Sequence, residues 1–102
     1  MGYRSDVYIK VHKSDEDKLV EVLKKNEFTA IKEYSDKEHV GYVINDVKWY
    51  SDYDDVKAVN DFIEEKSEYL KGLIAIGEDN YATEYGDPSA VEMYIITELV
   101  WK

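Results

Sequence analysis

The sequence predicts an α+β domain, with two helices laid on one face of a mostly antiparallel sheet in the order βαββαββ. Three observations lead there. Short stretches in which apolar and polar residues alternate recur along the chain, the period of a half-buried strand. Two longer stretches repeat apolar residues every three or four positions, the period of a helix with one buried face. No apolar run approaches the roughly 18 residues of a membrane span, and 102 residues suit a single domain, 1–102.

The first strand is Tyr3–Lys13, where Val7, Ile9 and Val11 alternate with Asp6, Tyr8, Lys10 and His12. Ser14 is placed to cap a helix, with Asp17 three residues on in the position of a capping box. Asp15, Glu16 and Asp17 match the positive end of that helix's dipole, and Lys24 and Lys25 the negative end. Leu19, Val22 and Leu23 make its apolar stripe, and it should stop near Asn26. Phe28–Tyr34 is the second strand and His39–Tyr50 the third. The third strand sets Val40, Tyr42 and Ile44 against Gly41, Val43 and Asn45, with a break or bulge at Asn45-Asp46. Val47 and Trp49 resume the inward face after that shift.

Asp52 or Ser51 caps the second helix, whose buried face is Val56, Val59, Phe62, Ile63 and Leu70, and Lys71-Gly72 suits its end. Leu73–Gly77 starts a fourth strand that could continue towards Tyr85; Gly86-Asp87-Pro88-Ser89 is a turn. Val91–Trp101 is the last strand, apolar on both sides for part of its length. The first six elements follow the split βαβ plan, so the expected architecture is ferredoxin-like with an added C-terminal strand.

Charge is the strongest compositional signal. The net formal charge is −10, of which residues 1–40 carry −1 and residues 41–102 carry −9. Such a field repels phosphate backbones and attracts basic surfaces. Tyr8 and Tyr42 are expected on the open sheet face, where bases stack in some folds of this plan. The charge has the wrong sign for that role, however, and the basic, glycine-rich pattern of RNA-binding sheets is missing. No direct nucleic-acid partner and no membrane partner are expected.

Catalytic and metal chemistry find little footing. Cysteine is absent, so disulfides and thiolate metal sites are excluded. The two histidines, His12 and His39, read as surface residues near strand ends. Ser51–Val56 concentrates acids but lacks the central glycine and distal glutamate of a calcium loop. Neither a phosphate-binding glycine loop nor a G-x-S-x-G nucleophile turn occurs. No catalytic residue, metal ligand or cofactor is therefore assigned.

The opening Met1-Gly2-Tyr3-Arg4-Ser5-Asp6-Val7 resembles the start of small uncharacterised proteins encoded by bacteriophages and prophages. The resemblance covers seven residues and implies a phage accessory protein, with no catalytic residues to carry over. The N-terminus has no secretory h-region and places Asp6 where a myristoylation signal needs Ser or Thr, so the expected location is the cytoplasm, that of the host if the chain is phage-encoded.

These readings converge on a non-catalytic protein-binding module whose acids stand in for phosphates and engage a basic surface, such as that of a host nucleic-acid-binding protein. The expected contacts are Asp52, Asp54, Asp55, Glu78, Asp79 and Glu84, with Tyr53, Tyr81 and Tyr85 supplying apolar area beside them. Two other classes stay open. One is a small-ligand or enzymatic dimer with a pocket lined by Tyr8, Tyr42 or Trp49. The other is a structural component that self-associates as a homodimer through the last strand.

Overall fold

Alternation in Ser5–His12 builds β1, the central strand, because residues two apart share a face and Val7, Ile9 and Val11 are all buried in one core. The computed structural model describes residues 4–50, 52–65, 69, 71–77 and 82–86. β1 is followed by a 3-10 turn at Lys13–Asp15, α1 (Glu16–Lys25), β2 (Ile31–Ser35), β3 (His39–Val47), α2 (Asp54–Glu64), β4 (Gly72–Gly77) and β5 (Ala82–Gly86). The sheet order is β2-β3-β1-β4-β5, and every neighbouring pair is antiparallel. The α+β class, the two helices and the antiparallel sheet agree with the sequence reading, but the fifth strand seen is Ala82–Gly86 and not the expected Val91–Trp101.

Both helices lie on one side of the sheet. Val7, Ile9 and Val11 of β1, Val40 and Ile44 of β3, and Leu73 and Ala75 of β4 meet Leu19 and Leu23 of α1 and Val56, Val59, Phe62 and Ile63 of α2. Trp49 joins this core, and Val47 packs against it, as the expected bulge requires. The bulge itself is at Asp46, whose φ is +53°, with the β1–β3 register slipping between Ser5 and Val7. Asp tolerates this left-handed conformation better than most residues. Asp6 Oδ1 accepts the Asp46 N–H at 2.9 Å, and an Arg4 guanidinium N–H donates to the Asp46 carbonyl at 2.9 Å.

Several boundaries differ from expectation. Ser14 does not cap α1. The His12 ring caps the 3-10 turn instead, its Nδ1 accepting the Ser14 backbone N–H at 3.1 Å, and α1 starts after Asp15. Neither does Asp52 cap α2. Tyr53 occupies that position without a side-chain bond, while the Asp55 carboxylate accepts the Val56 N–H at 2.8 Å. α2 stops at Glu64 rather than near Leu70, and Gly72 opens β4 rather than closing a helix. Residues 82–86 form a separate strand, β5, instead of a continuation of β4. The Val91–Trp101 strand lies outside the described residues.

Tyr42 corrects a side-chain expectation. It faces the helices, not the open face, and its hydroxyl donates to Glu16 Oε2 of α1 at 2.6 Å. Lys32 Nζ sits 2.9 Å from the same carboxylate. The Lys32 hydrogen bond, followed by that of Tyr42, holds the Glu16 pKa below the ordinary value. Burial, followed by the bond to Glu16, pushes Tyr42 up to about 12. Glu16 is depressed in the folded chain, so its contribution is present above the unfolded carboxylate range and fades as pH falls. Tyr42 is raised, so its contribution is full below about 10 and is lost as pH rises towards about 12. Tyr42→Phe should cost about 1 kcal/mol at neutral pH. The difference from wild type should vanish above that alkaline window, as read by urea unfolding across pH.

Candidate functional site

The acids named from sequence occupy two sides of the sheet. Asp52, Asp54 and Asp55 surround the start of α2, where their charges meet the positive end of the helix dipole. Asp52 and Asp54 are exposed and Asp55 is partly covered. Tyr53 is 41% exposed, and its ring meets that of Tyr50 edge-on at 5.1 Å between centroids. Glu84 is exposed on β5, but it pairs with Ile74, so it stands on the face away from the helices. Tyr85 pairs with Leu73 and packs against the core on the helix side. Glu84 and Tyr85 thus face opposite ways. Glu78, Asp79 and Tyr81 lie outside the described residues.

The exposed face of α2 extends the acidic end. Asp54, Asp61, Glu64 and the following Glu65 are all exposed, and Lys57 is the single base among them. At 100° per residue, all five fall within about a third of the helix circumference. Among the described residues, no ion pair engages these four acids. Asp61, Glu64 and Glu65 were not singled out from sequence. Their spacing of seven, ten and eleven residues from Asp54 was the signal available.

A second cluster gathers at the other end of the sheet. His12 and His39 are register partners across β1 and β3. Their rings meet edge-on at 5.6 Å, and His12 stacks on Tyr69 at 3.7 Å with 7° between the planes. Asp36 organises the β2–β3 turn: its Oδ1 accepts the Glu38 and His39 N–H groups at 2.8 and 2.7 Å, and the Tyr34 hydroxyl donates to its Oδ2. These bonds, that of Tyr34 foremost, hold the Asp36 pKa far below the usual carboxylate range, and the same contact raises Tyr34. Lys10 Nζ lies 4.8 Å from the Tyr34 ring centroid, a cation–π contact.

Chemically, this cluster is a set of caps and stacks. His12 Nδ1 accepts a backbone N–H, so the neutral ring carries its proton on Nε2. Ser14 Oγ is 2.9 Å from the same Nδ1, but the backbone N–H competes for that lone pair, which makes the contact part of the turn. His39 Nδ1 and Asp36 Oδ1 are 3.9 Å apart, beyond hydrogen-bond reach. No group of three or more potential metal ligands occurs among the described residues.

A cleft of about 150 Å³ opens between Arg4, Ser5, Asp6, Asp46, Ile76 and Gly77. Small-molecule sites usually occupy about 300–1,000 Å³. Of the residues expected to line a dimer pocket, Tyr8 faces away from the helices, while Tyr42 and Trp49 both belong to the helix-side core. Among the described residues, no helix is long and apolar enough to cross a membrane. Compared with known proteins, the chain matches no family model, no curated protein and no solved structure.

Proposed function

We propose that the chain is a small non-catalytic binding module that presents the acidic face of α2 to a basic protein surface. The observation that carries this reading is the set Asp54, Asp61, Glu64 and Glu65, exposed against Lys57 alone. Asp54 to Glu65 spans about 16 Å of helix at 1.5 Å per residue, a length over which carboxylates can replace a run of phosphates. The partner is then a Lys- and Arg-rich groove of a nucleic-acid-binding protein, and the phage-like N-terminus favours a host target. The β2-β3-β1-β4 order with both helices on one side supports a ferredoxin-like assignment, with β5 flanking β4.

The test compares capture of basic proteins from a host lysate at low and high salt. Wild type should capture a partner at low salt and release it as salt rises, because exposed charge pairs are screened. The variant carrying Asp54→Lys, Asp61→Lys and Glu64→Lys should lose capture while keeping its circular dichroism spectrum, since surface substitutions usually change stability by only about 0.5 kcal/mol. Glu84→Lys, on the opposite face, should retain it. Capture by the triple variant, or capture indifferent to salt, refutes the proposal.

A further inference from the structure

Charge on the outer face of α2 changes sign twice along its length. Asp54, Lys57, Asp61 and Glu64 are all exposed, and Lys57 is the only base in the helix. Lys57 stands three residues after Asp54 and four before Asp61, the spacings at which helix side chains are neighbours. Among the described residues it nevertheless makes an ion pair with neither. Its ammonium is therefore presented outward beside the carboxylates rather than bound to them. At 1.5 Å per residue, this positive charge falls about 4.5 Å along the axis from Asp54 and about 6 Å before Asp61. A uniformly basic surface laid on the face would meet one repulsive position between attractive ones. Like charges set opposite each other suppress association with the wrong partner.

We propose that Lys57 selects the partner: the basic groove that docks on α2 carries one carboxylate, facing Lys57, among the cations that face Asp54, Asp61 and Glu64. This rests on the reading of α2 as the binding face and adds the partner's charge pattern to it. Grooves that read nucleic acids hold both kinds of group. Their Lys and Arg side chains grip phosphates and set position, whereas an Asp or Glu accepts the amino group of a cytosine and reads sequence. On α2 the carboxylates then replace phosphates, and the Lys57 ammonium replaces a base amino group, since both are hydrogen-bond donors. A run of phosphates alone would be matched by acids alone. The inserted cation favours a groove that contacts bases over one that holds only the backbone.

Two alanine-rich helical peptides test this. The first carries Lys, Glu, Lys, Lys and Lys at the spacings of Asp54, Lys57, Asp61, Glu64 and Glu65, the stripe with its signs reversed. The second has Gln in place of that Glu, and so a higher net positive charge. Fluorescence anisotropy at low salt should show the full-length protein binding the Glu peptide about three-fold tighter than the Gln peptide, against the order of their net charges. Lys57→Gln, an exposed substitution that should leave the fold intact, should reverse that order. A wild-type protein that binds the Gln peptide as tightly or tighter overturns the role of Lys57 and leaves the acidic face standing. So does a preference that Lys57→Gln does not change. Undiminished binding of both peptides by the Asp54→Lys, Asp61→Lys, Glu64→Lys variant removes the acidic face itself, and the proposal with it. Failure of wild type to bind either peptide has the same consequence.

Discussion

Ile9→Ala should lower the unfolding free energy by about 3 kcal/mol, within the range of about 2–5 kcal/mol for such truncations. Ile9 is fully buried in the middle of β1, which pairs with β3 on one side and β4 on the other. The sheet holds it on both flanks, so the cavity cannot close without disturbing two ladders. Small domains have total stabilities of about 5–15 kcal/mol, so this is a large fraction. The urea midpoint should fall sharply with little change in slope. Ile31→Ala, at an exposed position on β2, should stay within about 0.5 kcal/mol of wild type. Equal effects for the two substitutions would refute the central role assigned to β1.

Gly86→Ala should cost about 2 kcal/mol or more, although the residue is exposed. Its φ of +70° is the left-handed region, which glycine enters without penalty. An added Cβ would stand 2.5 Å from the Lys71 carbonyl oxygen, 2.7 Å from Ile63 Cγ2 and 3.1 Å from the Ile63 carbonyl oxygen. Two of those three atoms are backbone, so relief requires moving the end of α2 or the start of β4. Thermal unfolding should show the loss, and amide shifts at Ile63 and Lys71 should show where it originates. An unchanged melting temperature would mean that β5 does not sit against α2 as described.

Particular residues show how far the sequence could be read. The alternation of Val7, Ile9 and Val11 and the stripe of Leu19 and Leu23 identify β1 and α1 because a local period reports directly which side is buried. The Asn45-Asp46 irregularity was legible for the same kind of reason, since few residues tolerate the backbone it needs. The end of α2 was not legible. Leu70 continues the helical phase of Val59 and Phe62, and no glycine or proline stands at Glu65 to mark the stop. The capping role of His12 and its pairing with His39 depend on the β1–β3 register, a relation between distant segments that no local pattern encodes. For the acidic site, charge and spacing revealed the start of α2, but only the pairing of Glu84 with Ile74 shows that this acid belongs to the other side.

The outer strand β2 has a consequence for behaviour at high concentration. It is five residues long, largely exposed, and its register against β3 slips between Lys32 and Tyr34. The slip against β3 marks an irregular strand, and a foreign strand pairing along its outer rim would also meet the charges of Lys32 and Glu33. Among the described residues, β2 is therefore a poor template for sheet growth from molecule to molecule.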